Sequence, residues 1–404
     1  MVSMKRRYEN LIKDHFSEHR QIALISGPRQ VGKTTLANSI RKQKNTHYFN
    51  WDDSNDRETL LAGSRSIAEK VNFDTLLEAT PLMVFDEIHK YGKWKQLIKG
   101  FHDRYKDRCD IIVTGSARMD VYKKGGDSLM GRYFNYRLHP LSISETMQRP
   151  LSDSEIQNPS KPSDKQFERL LQWGGFPEPF IKSDRRFFNR WSRLREQQLL
   201  AEDIRELTGV HELGQLETLA ILLKNQAGQL TSYSSLAKKV RVSVDTIRRW
   251  TSILESLYYC FSVRPWSRNV TRSILKEPKY YLWDWSQCQD IGARNENFIA
   301  SHLLKAVHFW TDLGYGNYEL HYLRDKEKRE VDFLVSRDAQ PWFLVEVKSS
   351  TDQTLSPHLA RFARQIKAEH AFQVAISTKY IDRDPFQHNE PLIVPARTFL
   401  SQLP

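Results

Sequence analysis

One stretch constrains this chain more than any other: Gly27 to Thr35, which reads Gly-Pro-Arg-Gln-Val-Gly-Lys-Thr-Thr. It has the Gly-x-x-x-x-Gly-Lys-Ser/Thr spacing of a phosphate-binding loop. The apolar run Gln21 to Ile25 precedes it and predicts a strand, and Leu36 to Lys42 can start a helix. Strand, loop and helix in this order are the context that the motif needs. The stretch therefore predicts an α/β fold with a nucleotide at the loop, and a glycine-rich turn before a helix is the alternative.

The residue types in the loop each have a chemical role. Gly27 and Gly32 let the backbone curl so that successive N–H groups point at phosphate oxygens, and the helix N-terminus adds partial positive charge. Lys33 is expected to reach the β- and γ-phosphates, and the Thr34 hydroxyl is expected to ligate Mg²⁺. The predicted nucleotide-binding residues of the loop are Gly27, Pro28, Arg29, Gln30, Val31, Gly32, Lys33, Thr34 and Thr35.

A second motif ends an apolar strand. Leu82 to Phe85 is a run of four apolar residues, and Asp86-Glu87 follows it directly. This is the Walker B pattern, which belongs at a strand's carboxyl end beside the phosphate loop. Asp86 is expected to hold the Mg²⁺ shell through water, and Glu87 to polarise the attacking water. Alone, the pattern also fits a buried strand capped by two exposed acids, but its place behind a phosphate loop favours the catalytic interpretation.

A further strand carries candidates for sensing the nucleotide. Cys109 to Val113 is apolar, and Thr114-Gly115-Ser116 follows it. In a parallel sheet this strand would lie next to the strand that ends at Asp86, and it would bring a hydroxyl near the γ-phosphate. Thr114 or Ser116 is therefore a candidate sensor of nucleotide state. A simple strand-ending turn is the alternative for each of them.

Size, charge and cysteine spacing limit the class of protein. The chain has 404 residues, so about two to four domains are expected. A formal charge of +12 and a pI of about 9.4 favour a polyanionic partner such as DNA, with a merely solubilising surface as the alternative. The three cysteines show no Cys-x-x-Cys spacing, which disfavours a zinc ribbon or a disulfide framework. Because no apolar run approaches transmembrane length, we expect a cytoplasmic protein without a membrane partner.

Residues 231–266 suggest a DNA-reading module. Ser234 to Val240 predicts a short helix, and Ser243 is a predicted N-cap for a second helix that runs to about Leu257. Two strand-like runs, Tyr258 to Val263 and Tyr280 to Trp283, complete the pattern of a winged helix-turn-helix. Side chains of the second helix are expected to contact base edges, and side chains that precede this helix are expected to contact phosphates. The predicted DNA-binding residues are Asp245, Thr246, Arg248 and Arg249, followed by Lys238, Lys239 and Arg241. A scaffold that packs on other parts of the protein is the alternative.

The C-terminal part has the αβββαβ order of PD-(D/E)XK nucleases, with strands at Tyr318 to Leu323, Glu330 to Val335 and Trp342 to Val347. Asp332 lies on the second strand, and Glu346-Val347-Lys348 closes the third. Because a strand alternates its faces, Glu346 and Lys348 point to the same side. Asp332, Glu346 and the Val347 carbonyl can hold Mg²⁺ through oxygen, and Lys348 can orient an attacking water. A domain that keeps the fold without the activity is the alternative.

Taken together, the chain resembles the AAA-type ATPases of prokaryotes, with an archaeal-ATPase-like AAA core, that are fused to a C-terminal PD-(D/E)XK nuclease-like domain. The resemblance covers nearly the whole chain. The motifs that carry it are the Gly27 to Thr35 loop, Asp86-Glu87-Ile88, Thr114-Gly115-Ser116, Leu129-Met130-Gly131-Arg132 and Gly174 to Pro179.

The resemblance has implications for three single residues. It implies that Arg132 is an arginine finger for a neighbour's γ-phosphate, which is worth roughly 10³ to 10⁵ in rate in the best-studied cases. A surface arginine in a structural ion pair is the alternative. It also implies that Glu296, in the first turn of a helix from Asn295 to Val307, joins the nuclease acids. The family usually has Gln where this chain has His89, which weakens any role assigned there.

The predicted organisation is an AAA-type P-loop core at 1–150, a linker at 151–166, a helical lid at 167–228, a winged helix-turn-helix at 229–284 and a PD-(D/E)XK domain at 285–404. We expect an ATP-hydrolysing, DNA-binding protein with a metal-dependent nuclease domain. Its cofactors would be ATP and Mg²⁺, with Mn²⁺ as a further metal for the nuclease site, and it would form a ring-like or hexamer-like homo-oligomer. The alternative is an ATP-switched DNA-binding regulator whose C-terminal domain only binds. A small-molecule kinase would leave the C-terminal half without a role.

Overall fold

The computed structural model describes residues 5–41, 45–73, 79–115, 129–150, 154–204, 212–267, 277–350 and 354–404. The chain divides into two compact units, Met1–His139 and Pro140–Pro404. The predicted ATPase core extended to residue 150, but its last residues belong to the second unit. There, the Lys305 ammonium donates to the Pro140 carbonyl at 3.1 Å and to the Glu145 carboxylate. Among the described residues, no helix is both long and apolar enough to cross a membrane.

The N-terminal unit is built on a parallel five-stranded sheet in the order β2-β3-β4-β1-β5. The strands are β1 (Ile22–Ser26), β2 (Thr46–Asn50), β3 (Leu82–Asp86), β4 (Asp110–Gly115) and β5 (Tyr133–Arg137). Strands β1, β3 and β4 are buried at every residue, as expected for parallel strands covered on both faces. The helices of this unit are α1 (Tyr8–Glu18), α2 (Lys33–Arg41), α3 (Ser54–Ala62), α4 (Ser64–Lys70) and α5 (Trp94–Tyr105).

Two short helices, and not one long one, follow β2. Asp53 starts α3 because its side chain accepts the N–H groups of Asn55 and Asp56. Gly63 then ends α3 with a φ of 95°, a conformation that glycine adopts without strain. A second helix, α4, begins directly after it.

The C-terminal unit begins with a group of helices. They are α6 (Ile143–Thr146), α7 (Asp164–Trp173), α8 (Pro177–Lys182) and α9 (Arg185–Gln197), followed by a π-helical turn at Gln198–Asp203. Gly174 ends α7 with a φ of 79°, and Pro177 starts α8, where its missing N–H costs nothing. The Gly174 to Pro179 motif thus includes the turn between α7 and α8. The role of these helices as a lid stays a prediction.

Three helices and a hairpin follow. They are α10 (Leu213–Asn225), α11 (Tyr233–Val240), α12 (Val244–Ser256), β6 (Cys260–Pro265) and β7 (Lys279–Leu282). Arg241 ends α11 in the left-handed conformation, with a φ of 61°. Ser243 starts α12 as predicted, because its hydroxyl accepts the N–H of Thr246. The element order is the one predicted for residues 231–284.

The hairpin belongs to a seven-stranded sheet in the order β12-β11-β10-β9-β8-β6-β7. Its other strands are β8 (Tyr318–Arg324), β9 (Glu330–Arg337), β10 (Gln340–Lys348), β11 (His370–Ala375) and β12 (Leu392–Pro395). Strand β6 pairs in parallel with β8, Arg264 lying opposite His321. The predicted boundary at 284/285 therefore separates strands that share one sheet. The remaining helices are α13 (Ile291–Asp312), α14 (Pro357–Ile366) and α15 (Ala396–Gln402).

One local prediction in this unit needs correction. Helix α13 begins at Ile291, because Asp290 caps it by accepting the Ala293 N–H, so Glu296 lies in its second turn and not its first. The segment predicted as a linker is held by hydrogen bonds, since the Gln157 N–H donates to the Gln402 carbonyl at 3.0 Å. The Glu155 carbonyl likewise accepts the Trp310 indole N–H at 2.8 Å.

Candidate nucleotide site and carboxylate cluster

The phosphate loop lies between the carboxyl end of β1 and the start of α2. Gly27 and Gly32 have φ angles of 153° and 101°. A Cβ atom on Gly27 would lie 2.3 Å from the Leu138 carbonyl oxygen, so only glycine fits there. Lys33 is 5% exposed, and its ammonium donates to the Gly27 and Pro28 carbonyls at 3.0 and 2.8 Å. The loop thus curls around the lysine that is predicted to bind phosphate.

Arg6 braces this loop from outside it. Its guanidinium donates to the Val31 carbonyl at 2.7 Å and to the His139 carbonyl at 2.5 Å. Arg6 is buried, and nothing in its charged N-terminal surroundings distinguishes it in the sequence. It is a residue of the site that sequence reasoning missed.

The Asp86 carboxylate, at the end of β3, accepts hydrogen bonds from side chains of the loop, β2 and β4. The Thr34 hydroxyl donates to Asp86 Oδ2 at 2.9 Å, and the Thr114 hydroxyl donates to Asp86 Oδ1. The Tyr48 hydroxyl is a third donor to this carboxylate. Burial and the contact with Asp86 raise the pKa of Tyr48, so its hydroxyl keeps its proton. The structure brings Thr34, Asp86 and Thr114 together, whereas Ser116 lies outside the described residues.

The Asp86 cluster suits a hard cation. A threonine hydroxyl and a carboxylate oxygen lie at hydrogen-bond distance, and both are oxygen donors of the kind that Mg²⁺ prefers. They stand beside a loop whose lysine is aimed inward. Thr34 and Asp86 therefore fit the Mg²⁺ that accompanies a nucleoside triphosphate.

Glu87 follows β3 in an uncommon backbone conformation. Its φ of 53° lies in the left-handed region, which costs free energy for a residue other than glycine. His89 Nε2 lies 3.8 Å from Glu87 Oε2, and the His89 side chain is 6% exposed. Burial, with Lys33, Lys90 and Arg29 nearby, lowers the pKa of His89 to about 3. A neutral imidazole thus lies beside the predicted catalytic carboxylate, a contact that the weak sequence signal at His89 did not predict.

Arg132 forms an ion pair within its own chain. Its guanidinium forms a bidentate ion pair with the Asp103 carboxylate, at 2.6 and 3.0 Å, and lowers the pKa of that carboxyl. The Arg132 carbonyl accepts the Ile22 N–H at 2.8 Å, at the start of β1. Arg132 therefore lies at the amino-terminal ends of the strands, whereas the phosphate loop follows the carboxyl end of β1. This geometry favours the ion-pair alternative, and the arginine finger stays a prediction.

The predicted DNA-binding side chains lie on the outside of α11 and α12. Six are exposed and Thr246 is half-buried; the exposed ones are Lys238, Lys239, Arg241, Asp245, Arg248 and Arg249. The Arg248 guanidinium lies over the Tyr233 ring, 5.1 Å from its centroid. Within the described part of the chain, Lys238, Lys239, Arg241 and Arg249 form no ion pair. The surface therefore presents cations that are available to a polyanion.

The predicted nuclease acids converge on one face of the C-terminal sheet. Val345 lies opposite Phe333, a register that brings Glu346 opposite Asp332 on the neighbouring strand. Burial, and then Glu296 and Glu346, raise the pKa of Asp332 well above its usual range. Asp332 also accepts the Val347 N–H at 2.8 Å, and Lys348 donates to Glu346 at 2.9 Å. The structure thus brings together the side chains that the sequence singled out.

Three unpredicted residues join this carboxylate cluster, which we define as Glu296, Glu330, Asp332 and Glu346. The Lys279 ammonium lies 3.3 Å from Glu296 Oε1 and 2.6 Å from Glu330 Oε1. The Tyr281 hydroxyl donates to Glu296 Oε1 at 2.7 Å. Glu330 could have been found by its spacing, because it lies two residues before Asp332 on one strand. Lys279 and Tyr281 come from β7 and carry no sequence signal.

The carboxylate cluster does not fit a divalent cation as it stands. Across the described ranges, no group of three or more His, Cys, Asp or Glu side chains is placed to hold a metal ion. Of the predicted metal ligands, Asp332 accepts the Val347 N–H and Glu346 accepts from Lys348, so each carboxylate already has one protein donor.

Known proteins match the chain in three consecutive segments. Residues 19–147 match a family described as an AAA domain. Residues 164–291 and 291–396 each match a family described as a domain of unknown function. An uncharacterized protein of Haemophilus influenzae is 24% identical over 306 residues, covering 70% of this chain and 72% of that protein. One from Mycobacterium tuberculosis is 22% identical over 387 residues, covering 90% of this chain and 80% of that protein.

Among solved structures, a Walker-type ATPase of Pyrococcus abyssi aligns with a TM-score of 0.43 and 12% identity, covering 72% of this chain and 96% of that one. A likeness of this size carries no argument about function. The AAA-domain match agrees with the phosphate loop after β1 and with Asp86 at the end of β3. Residues 19–147 therefore match an AAA domain and have a phosphate loop where such a domain needs one.

Proposed function

We propose that this protein hydrolyses ATP in its N-terminal unit and binds DNA through the α11–α12 surface. The observation that carries the first part is the Asp86 carboxylate, which accepts hydroxyls from Thr34 of the loop and Thr114 of β4. A strand-capping acid without a catalytic role would not need two hydroxyl donors from separate elements. This arrangement links the nucleotide-binding loop to the strand that is predicted to sense the nucleotide.

The chain's own residues supply binding, orientation and a base. Lys33 binds the phosphates from inside the loop, and the loop N–H groups at the start of α2 stabilise their charge. Thr34 and Asp86 would hold Mg²⁺, which neutralises charge on the phosphates. Glu87 orients the attacking water and accepts its proton, with the neutral His89 ring beside it. The direct test is Mg²⁺-dependent release of phosphate from ATP by the purified chain, and no turnover with or without DNA would contradict the proposal.

The DNA-binding part is supported by charge and exposure. Helix α12 begins at Val244 with a capped N-terminus, and the predicted DNA-binding residues of its first turns are exposed or half-buried, whereas Ile247 is buried. The exposed cations Lys238, Lys239 and Arg249 flank that end without carboxylate partners in the described residues. Phosphate contacts by such side chains supply most non-specific affinity for DNA.

Changing Lys238, Lys239 and Arg249 together to Gln is expected to weaken DNA binding by about tenfold or more. The slope of log affinity against log salt is expected to fall by about 0.9 for each phosphate that the variant no longer neutralises. Fluorescence anisotropy over a salt series measures both quantities. The matched control changes three exposed arginines of α9, Arg186, Arg190 and Arg193, to Gln. An equal loss of affinity in both triple variants would show that general charge, and not this surface, binds DNA.

Cleavage of phosphodiester bonds by the C-terminal domain is a second candidate function. It is favoured by the convergence of Glu296, Asp332 and Glu346, which together with burial raises the pKa of Asp332. The opposing observation is that these residues do not form a metal site as they stand, which favours the regulator alternative.

Asp332→Asn separates the two candidates, because the amide keeps the shape of the side chain and removes its charge. If the domain is a nuclease, wild-type protein nicks single-stranded, double-stranded or forked DNA with Mg²⁺ or Mn²⁺, and the variant loses nicking by at least about 10²-fold while ATP turnover is unchanged. Gel assays of the three DNAs measure this. Salt-sensitive DNA binding without cleavage by wild type would instead support the regulator.

A further inference from the structure

The buried ammonium of Lys279 is the most unusual group in the C-terminal unit. Lys279 is 3% exposed and lies on β7, with Glu330 at 2.6 Å and Glu296 at 3.3 Å. Burial by itself lowers the pKa of a lysine, but Glu296, Asp332 and Glu330 together raise that of Lys279. The side chain therefore stays charged, and a buried charge is tolerated only when it is paired.

The strand that carries Lys279 is arranged to face the carboxylate cluster. Residues two apart on a strand share a face, so Lys279 and Tyr281 point the same way. Both donate to the same atom, Glu296 Oε1, the lysine at 3.3 Å and the tyrosine at 2.7 Å. Strand β7 thus satisfies, with two protein donors, a carboxylate that the resemblance had grouped with the nuclease acids.

Two carboxylates of the cluster nevertheless have an oxygen atom without a described hydrogen-bond partner. Glu346 is 8% exposed, and its Oε2 atom is buried without a hydrogen-bond partner. Its other carboxylate oxygen accepts from Lys348 at 2.9 Å. Among the pairs described in this cluster, Asp332 has no ion pair, and its only described hydrogen bond is from the Val347 N–H. Asp332 and Glu346, on neighbouring strands, therefore keep carboxylate oxygen atoms that a second cation can use.

We propose that Lys279 is the resident cation of the carboxylate cluster and that, in the absence of DNA, it keeps divalent metal ions out of a site that its removal would open. The ammonium neutralises Glu296 and Glu330, which lowers the attraction of the cluster for a metal. The inference rests on the second candidate function in so far as that site would serve cleavage. Its test measures metal binding and not DNA cleavage, so a failure of the inference can be distinguished from a failure of the nuclease candidate.

Strand β7 also relates Lys279 to the α11–α12 surface. It pairs with β6, which follows α12 in the chain, and Lys279 itself bridges to Leu230 just before α11. The module that is proposed to bind DNA therefore supplies the cation that occupies the cluster.

Lys279→Met keeps the aliphatic stem and removes the charge. In protein free of nucleotide and DNA, the wild type is expected to leave added Mn²⁺ free, as measured by its electron paramagnetic resonance signal. The variant is expected to bind Mn²⁺ at least about tenfold more tightly, a change of the size seen when the partners of metal ligands are altered. Adding Asp332→Asn to the variant is expected to remove that binding.

Two controls make the experiment specific. Lys326→Met removes an exposed lysine in the turn between β8 and β9, and is expected to leave Mn²⁺ free because Lys279 is still present. Lys279→Arg keeps a cation and is expected to behave as wild type. Thermal unfolding checks each variant, and Lys279→Gln replaces the methionine variant if that does not fold.

Two results would overturn the inference. One is Mn²⁺ binding by wild type that Asp332→Asn abolishes, and the other is no gain of binding in a folded Lys279→Met or Lys279→Gln variant. Mn²⁺ binding by the variant without DNA cleavage would support the role of Lys279 and contradict the nuclease candidate alone.

Discussion

Lys33→Ala is expected to abolish ATP hydrolysis, with turnover falling by at least about 10²-fold. The ammonium is held inside the phosphate loop by the Gly27 and Pro28 carbonyls, so no neighbouring cation can take its place without rebuilding the loop. Nucleotide affinity should fall as well, because the lysine contacts phosphates in both the ground state and the transition state. Steady-state phosphate release and binding of a fluorescent ATP analogue measure the two effects.

The matched control for this variant is Lys106→Ala, at the exposed end of α5. It removes the same side chain from the same unit and is expected to leave turnover unchanged. Wild-type turnover in a folded Lys33→Ala protein would show that residues 27–35 do not bind the reacting phosphates.

Glu87→Gln is expected to separate binding from hydrolysis. The amide keeps the size of the side chain but cannot accept the proton of the attacking water, so turnover should fall by about 10² to 10⁴-fold, the usual contribution of a general base. ATP affinity should be retained, because Lys33, Thr34 and Asp86 are untouched. Single-turnover hydrolysis and equilibrium binding of ATP together measure this.

Glu69→Gln is the control for the loss of a carboxylate, since Glu69 is an exposed residue of α4 that pairs with Arg65. It is expected to change neither binding nor hydrolysis. If Glu87→Gln weakened ATP binding as much as turnover, Glu87 would be a structural residue, held in its left-handed conformation for the sake of the turn after β3.

The parts of the site that could be read from the sequence are those that depend on chain neighbours or on strand ends. Gly27 to Thr35 is a continuous stretch, and its chemistry follows from its own spacing. Asp86 and Thr114 could be placed because both come at the carboxyl ends of apolar strands, and such ends meet at one edge of a parallel sheet.

Other parts of the site depended on which strands are neighbours. Tyr48 reaches Asp86 only because β2 pairs with β3, and Arg6 reaches Val31 from a segment before α1. Arg132 illustrates the opposite case. Its place in the sequence suggested an arginine finger. In the structure, Arg132 directly precedes β5 and forms an ion pair with Asp103. None of these interactions is visible in a local pattern of residues.

The sequence by itself determined the P-loop chemistry, the strand-end acids and the order of elements around Asp332 and Glu346, because short-range spacing sets which side chains share a loop, a strand end or a strand face. Only the tertiary structure decided that β6 and β7 join the C-terminal sheet and bring Lys279 and Tyr281 against Glu296. Pairing between strands far apart in the chain is set by the burial and hydrogen bonding of whole elements, and this pairing placed a lysine against Glu296, which the resemblance had grouped with the nuclease acids.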